Sequence, residues 1–466
     1  MTRYHARWIV PVSAPPIANG TLIEDRGRIT YVGPRLDATP DDRDLGDVVL
    51  LPGLVNVHAH LDLSVMRGFL EDLPFGRWIR TLTRARRAVL QPEDLLDAAR
   101  LSLAEGLRAG VTAVAETSES GVALRAMAEM GVRGISYHEV FGPDPARCEE
   151  AMRGLREKVA SLRDVASSRA RLGVSPHAPY SVCDALFTAA ARFAVEEGLP
   201  MAIHIAESED EMRYVARADG DFAASQRDRG FPLVPRGRTP VAMLERTGAL
   251  AARPLLIHCV RVDERDIAAI ARHDCAVAHC PAANAKLGHG IAPVCEMLAA
   301  GIRVGLGSDS VASNNRMDIL QEARLATMFQ RARLGSPDCL TATEALEMAT
   351  LGGARALGLE DEIGSLAVGK SADFAALPLD EPNATPTTDP VTAAVFALAG
   401  GPASLVVVEG RIMVSDGRVV GDSPALRERV QAAADRLAEW RAADDAKAHG
   451  HVRSSTVTAP PSGSST

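Results

Sequence analysis

Val48-Val-Leu-Leu-Pro-Gly-Leu-Val-Asn-Val-His-Ala-His60 is an apolar run that ends on two alternating histidines. Side chains two apart on a strand point to the same side, so His58 and His60 converge where the strand stops. Paired imidazoles of this kind suit a metal ion. An ordinary histidine pair at a strand terminus would look the same, so the rest of the chain has to decide. It offers His204, His258 and Asp309, each closing a later apolar, strand-like run. Metal-type side chains recurring at strand ends predict a metal site.

Working outward, strand candidates recur at Leu54–His60, Val111–Glu116, Val132–Val140, Leu172–His177, Met201–Ile205, Leu255–Val260, Ala276–Cys280 and Arg303–Gly307. Helical periodicity fills the gaps, as in Pro92–Arg108, Asp184–Glu197, Asp263–Ala271 and Ile291–Ala300. Strand–helix alternation over about 300 residues predicts an α/β fold, a (β/α)8 TIM-type barrel, with a doubly wound open sheet as the alternative. The metal-type residues favour the barrel, because there all strand ends surround one mouth.

Both chain ends have a different texture. Residues 1–52 and 364–422 carry short strands with turns, which predicts one composite β-sandwich domain around a barrel at 53–363. Residues 423–466 complete the chain, with a helical pattern over Ser423–Lys447 and a Pro/Ser/Gly-rich, disordered Ala448–Thr466. Two long insertions follow strand candidates at the expected mouth. Leu61–Arg87 carries Arg67, Phe75, Trp78 and Arg80, and Ser208–Thr239 carries Phe222 and Phe231. Such connections serve as lids or pocket walls, or as padding.

Bulk properties narrow the function. The chain has 466 residues, 47% of them apolar, and a net charge of −9, with no basic run to suit nucleic acid. No apolar stretch reaches the roughly 18 residues of a membrane span, and the N-terminus lacks a signal-peptide pattern. The seven cysteines contain no Cys-x-x-Cys pair and predict reduced thiols in a cytoplasmic protein. A small-molecule partner is expected; nothing in the residues demands a homodimer, although the family resemblance below is compatible with one.

Further motifs carry a resemblance. Pro52-Gly-Leu-Val-Asn-Val-His-Ala-His60, Ser175-Pro-His-Ala-Pro-Tyr180, Ile203-His-Ile-Ala-Glu207, Leu256-Ile-His258, Ala278-His-Cys-Pro-Ala-Ala-Asn-Ala-Lys-Leu-Gly288 and Gly305-Leu-Gly-Ser-Asp-Ser-Val-Ala-Ser-Asn-Asn315 follow one another in order. Together they resemble the amidohydrolase superfamily over nearly the whole chain, in its mononuclear branch of chlorohydrolases and S-adenosylhomocysteine/methylthioadenosine deaminases. The resemblance implies that His58, His60, His204 and Asp309 hold one divalent ion. Three imidazoles and a carboxylate suit Zn²⁺, and Fe²⁺ would accept them too. Binuclear relatives use a modified lysine where this chain offers His177, so one metal per chain is implied.

The resemblance also assigns chemistry. Asp309 acts as ligand and base, His258 steadies the nucleophile and the developing tetrahedral centre, and Glu207 is the acid that protonates a ring nitrogen and assists departure of ammonia. The implied activity is a hydrolytic deaminase of an adenine-type nucleoside. His58-Ala-His-Leu-Asp-Leu-Ser64, Tyr137-His-Glu-Val-Phe-Gly142, His177-Ala-Pro-Tyr-Ser-Val182 and Ser308-Asp-Ser-Val-Ala-Ser-Asn314 look closer to aminodeoxyfutalosine deaminases of menaquinone biosynthesis. Ala282-Ala283 departs from the charged or polar pair usual there. A benzoate-bearing substrate would call for an arginine near the mouth, from among Arg67, Arg80 and Arg84.

His177, His279, Arg67, Trp78 and Glu139 are the expected substrate-binding residues. His177 and His279 have the plainer reading of structural histidines, and Arg67 that of a solvated surface arginine; Glu139 ends a strand candidate that can reach the mouth. Glu209, Asp210 and Glu211 read as solvated charges at a helix start. His289 has no claim beyond exposure or packing, and Asn284 reads as a loop-shaping residue. Two alternatives stay open: a cyclic amide, imine or chlorinated-triazine hydrolase, and an inactive metal-binding scaffold.

Overall fold

Gly53 divides two kinds of strand. Val48–Pro52 before it pairs antiparallel with Phe374–Pro378, and Leu54–Ala59 after it pairs parallel with Val111–Ser118. A Cβ at residue 53 would lie 2.0 Å from Thr112 Oγ1, so glycine alone lets the chain cross there. The computed structural model describes residues 1–454, with side chains through residue 446.

The parallel strands are β1 (Leu54–Ala59), β2 (Val111–Ser118), β3 (Arg133–Val140), β4 (Ala170–Pro176), β5 (Ala202–Ile205), β6 (Leu255–His258), β7 (Ala276–His279) and β8 (Arg303–Leu306). They lie within a residue or two of the expected positions. They pair as two four-stranded sets, β1-β2-β3-β4 and β5-β6-β7-β8. Isolated parallel bridges join the sets, Val174 to Met201 on one side and Ala59 to Asp309 on the other. Pairing therefore returns from the last strand to the first. Strand residues are buried on both faces almost without exception, as in parallel strands covered by helices outside and packed within.

The intervening helices start and stop where local chemistry requires. Pro92–Arg108 opens on a reciprocal capping box between Gln91 and Asp94, with proline in its first turn. Asp184–Glu197 closes on Gly198, whose φ of 63° is the left-handed C-terminal geometry that glycine favours.

The strand-rich ends meet as expected, yet they form one continuous nine-stranded sheet where two facing sheets were anticipated. The reason is the direct pairing of Val48–Pro52 with Phe374–Pro378, which leaves no edge between the N- and C-terminal pieces. One side encloses a core that includes Tyr4, Ile9, Leu22, Leu50, Phe374 and Val407. Arg133, at the start of β3, is buried and reaches out to Glu362 at 2.7 Å and Asp373 at 3.2 Å, tying the parallel strands to the segment that re-enters this sheet.

Three helices matter for the mouth. Within the first insertion lies α1 (Phe75–Val89), and within the second α2 (Asp221–Asp228). The C-terminal helix α3 (Pro424–Ser454) runs beyond the expected Lys447. Of the tail expected to be disordered, 455–466 lies outside the described residues. Val430, Ala433 and Leu437 of α3 share an apolar cluster with Phe75, Trp78 and Ala85 of α1. No helix among the described residues is long and apolar enough to cross a membrane.

The crowding at residue 53 yields a direct expectation. Gly53→Ala forces the Thr112 region apart and destabilises the chain by about 1–3 kcal/mol, the usual cost of overpacking. Thermal denaturation checks it; an unchanged midpoint would show that Thr112 yields freely.

Candidate active site

The first and last parallel strands are laced together just below the mouth. Asn56 Nδ2 donates to Ser308 Oγ at 2.7 Å, and Asn56 Oδ1 accepts from the Ser308 N–H at 3.0 Å. One residue on, the Asp309 N–H donates to the His58 carbonyl at 2.9 Å. This lacing brings His58, His60 and Asp309, distant in sequence, to one place. Asp309 takes a left-handed backbone (φ 56°), as does His258 (φ 78°). Such conformations are uncommon for residues other than glycine and re-aim the side chain where a strand ends.

His58 and His60 meet at a ring separation of 4.9 Å, and His204 lies 5.0 Å from His58. His58 Nε2 is 3.3 Å and His60 Nε2 3.6 Å from the same Asp309 oxygen. The ligand atoms of His58, His60 and His204 lie within 4.8 Å of one another, and so do those of His58, His258 and Asp309. Buried His58 Nε2 has no hydrogen-bond partner, as expected of an atom reserved for a cation. His60 Nδ1 contacts the Thr117 carbonyl at 2.7 Å, and His204 Nδ1 the His177 carbonyl at 3.2 Å. Those contacts fix the rings with their Nε2 atoms free, the outer support typical of metal-binding histidines.

The surroundings favour neutral imidazoles and an ionised aspartate. Burial drives His58 down to about 4 and His204 well below the ordinary histidine range. Burial alone would raise Asp309, but the neighbouring His58 holds its carboxyl well below the usual range. Ser313 Oγ donates to the other Asp309 oxygen at 2.6 Å. Neutral nitrogen donors around a carboxylate suit a zinc-type divalent ion.

A cavity of about 610 Å³ opens over these groups and is lined by His60, His204, Asp309, Glu207, His258, His177 and Glu139. Phe75 and Trp78 of α1, Tyr180, and Phe222 of α2 supply apolar surface. Phe222 stacks on Tyr180 at 4.1 Å and meets Phe75 edge-on at 6.0 Å, so both insertions wall the cavity. Glu207 is buried, with its carboxyl 3.6 Å from His258 Nε2 and 3.3 Å from His289 Nε2. Burial would push Glu207 up, yet the flanking imidazoles hold it below the ordinary glutamate range. His258 contacts Asn284 Oδ1 through Nδ1 at 3.0 Å, which turns Nε2 toward Glu207.

The other expected residues divide. His177, Trp78 and Glu139 line the cavity. Glu139 Oε1 is buried without a hydrogen-bond partner, 3.9 Å from His204 Nδ1, and burial pushes the carboxyl well above its ordinary value. His279 does not reach the cavity: it is buried, both ring nitrogens lack partners, and burial lowers it to about 3. Arg67 is corrected as well, because it turns away to pair with Glu105 and the Asn315 carbonyl. Arg84 pairs with Asp444 of α3, whereas Arg80 does line the cavity.

Several working residues were missed. Glu211 is not a solvated helix-start charge but fully buried, accepting the Ala206 N–H at 2.8 Å and the Glu207 N–H at 2.9 Å. It holds the backbone that presents Glu207. Its sequence signal was position: four residues past Glu207, it folds back one helical turn. Asn284 and His289 were read as loop and packing residues, yet His289 borders the acid and Asn284 holds His258 beside it. Arg86 also lines the cavity and bonds buried Asp62 at 2.8 Å.

Against known proteins, the sequence model of the Amidohydrolase family matches residues 49–413. The chain is 34% identical over 417 residues to the 5-methylthioadenosine/S-adenosylhomocysteine deaminase of Moorella thermoacetica, covering 88% of this chain and 93% of that protein. It is 32% identical over 433 residues to the 5'-deoxyadenosine deaminase of Methanothermobacter thermautotrophicus, covering 91% and 96%. Among solved structures, a zinc-bound adenosine deaminase from Xanthomonas campestris superposes with a TM-score of 0.81 at 28% identity, covering 94% of this chain and 98% of that one. The zinc complex of atrazine chlorohydrolase from Arthrobacter aurescens TC1 gives 0.79 at 26% identity, covering 94% and 100%. This chain belongs to the amidohydrolase family. It is a hydrolase acting on C–N bonds.

Glu211→Gln removes an acceptor from one of two buried N–H groups, which costs about 1–3 kcal/mol. Burial raises the Glu211 carboxyl from 4.5 to about 8, so the fold retains a proton there that the unfolded chain releases. Its stabilising contribution is full below 4.5 and fades as pH rises to 8. Denaturation of both proteins across that window is expected to show the wild-type margin narrowing; a margin that widens would contradict the assignment.

Proposed function

We propose that this chain is a metal-dependent hydrolytic deaminase that replaces the exocyclic amine of an adenine-type nucleoside by oxygen and releases ammonia. Within that class we favour 6-aminodeoxyfutalosine, a step of menaquinone synthesis. The observation that carries the reading is the placement of Glu207, a buried carboxyl between His258 and His289, on the cavity lined by His60, His204 and Asp309, with which His58 clusters. Opening of a saturated cyclic amide has less need of such an acid than attack on an aromatic ring, where a ring nitrogen must gain a proton.

In this reading His58, His60, His204 and Asp309 hold one divalent ion, zinc by preference with Fe²⁺ acceptable. The ion supplies the Lewis acidity that makes a water nucleophilic near neutral pH. Glu207 takes one proton of the attacking water and delivers it to the ring nitrogen beside the amine-bearing carbon. Asp309 takes the second and passes it to the departing amine, so ammonia leaves as the carbonyl forms and both carboxylates are restored. His258, aimed by Asn284, steadies the oxygen while the carbon is tetrahedral. His177, Trp78 and Glu139 bind the remainder of the substrate. Arg80 and Arg87 line the cavity without an ion pair among the described residues, which suits an acidic substituent. We take residues 1–52 with 364–422 as the composite β-domain, 53–363 as a (β/α)8 barrel, and 423–466 as the terminal extension.

Metal analysis of the purified protein is expected to return about one divalent ion per chain. A value near two would place a second ion at Glu139, His177 and His204, whose ligand atoms also lie within 4.8 Å of one another.

Ammonia release from 6-aminodeoxyfutalosine, adenosine, methylthioadenosine and S-adenosylhomocysteine, measured side by side, tests the activity. Turnover of at least one is expected, with Glu207→Gln slower by about 10²–10⁴-fold, the usual contribution of a proton-transfer group. No release from any of them, or hydrolysis of a cyclic amide or chlorinated triazine that survives Glu207→Gln, would replace this reading.

A further inference from the structure

His289 lies 85 residues beyond His204 and outside the strand-end pattern, yet it touches the acid. It sits in the loop after the short helix Pro281–Lys286, between Gly288 (φ 74°) and Gly290 (φ 110°). Two left-handed residues in so short a span turn the chain back on itself and push the intervening side chain inward. The His289 N–H donates to the Asn284 carbonyl at 2.8 Å, while the Asn284 side chain anchors His258. One asparagine therefore holds both imidazoles that flank Glu207.

The far side of the His289 ring is braced. Phe75, the first residue of α1, meets it edge-on at 4.4 Å with the planes at 81°. The imidazole is buried, and its Nε2 has no well-formed hydrogen bond, so the Glu207 oxygen at 3.3 Å is the polar contact it is offered. A buried polar nitrogen fixed by backbone on one side and by an aromatic ring on the other has little freedom except to track that oxygen.

We propose that His289 is a positioning residue for Glu207, holding the carboxyl in the plane from which it passes a proton to the substrate ring. The proposal rests on the deaminase reading for its kinetic consequence and on geometry alone for the contact. A group that must bridge water and a ring nitrogen loses about a hundredfold in rate when displaced by an ångström. The unsupported carboxyl would swing within its pocket, slowing turnover while leaving the cation cluster and the substrate's other contacts in place.

The test uses metal-loaded full-length protein. His289→Phe keeps the ring that packs on Phe75 and removes the nitrogen; His289→Gln keeps an N–H at similar reach. The expected result is a kcat lower by about ten- to a hundredfold for His289→Phe with KM within about threefold, and recovery to within about threefold of wild type for His289→Gln. Metal content and melting temperature should match wild type in both. Unchanged kcat in His289→Phe, failure of glutamine to restore it, or a loss that tracks metal content would overturn the proposal. A second arm needs no substrate: the ¹⁵N signal of the His289 ring is compared between wild type and Glu207→Gln. A shift supports the contact and no shift overturns it, whether or not any nucleoside in the panel is deaminated.

Discussion

The site depends on the closure of β8 against β1. These strands stand at opposite ends of the paired series, so they meet only if that series curves round, and the last bonds of the curve are those from Asn56 to Ser308 and from Asp309 to the His58 carbonyl. They set the spacing between a histidine pair at one end of the series and an aspartate at the other. Slippage by one residue would turn His58 and His60 to the opposite face, since strand side chains alternate. Asn56 makes two bonds to the same serine, so it resists that slip more firmly than one ladder bond would.

The electrostatics divide the cavity into two regions. Around the histidine cluster, burial strips imidazoles of protons and leaves Asp309 charged. A second region is lined by Glu139 and Arg86, which interact with the buried Asp62 and Glu116 beyond the cavity lining. Glu116 is pushed to about 8 by burial, so this region enters neutral pH with protons in reserve. The two regions meet at His204, whose Nδ1 lies 3.9 Å from Glu139. A substrate spanning the cavity thus meets Asp309, held ionised by its imidazole neighbours, at one end and Glu139, pushed up by burial, toward the other.

Much of this was legible in the sequence, for a physical reason. Strand alternation is a short-range rule, so Val48–His60 announced both a buried strand and a convergent histidine pair. Repeats of that pattern at His204, His258 and Asp309 located the other contributors, and the ordered motifs named the family. What stayed hidden depends on backbone turns. Glu211 stands beside Glu209 and Asp210 in an acidic run that looks solvated, and one helical turn alone carries it into the core. His289 is aimed by two left-handed glycines, and nothing in composition or periodicity reports an aim. Arg67 failed the other way: a flexible side chain near the mouth found Glu105 and the Asn315 carbonyl first. The single end-sheet escaped prediction because pairing between Val48–Pro52 and Phe374–Pro378 joins segments over 300 positions apart.

The seating of α3 on α1 bears directly on the pocket wall. Val430, Ala433 and Leu437 press the same apolar cluster as Phe75 and Trp78, and Arg84 of α1 is tied to Asp444 of α3. The wall formed by α1 is thereby clamped from behind by α3, while α2 is anchored separately, through buried Ala223 and the bond from Gln226 Nε2 to the Tyr180 carbonyl at 2.9 Å. A change in the seating of α3 would therefore be felt at Phe75 and Trp78, on the pocket side of the same wall.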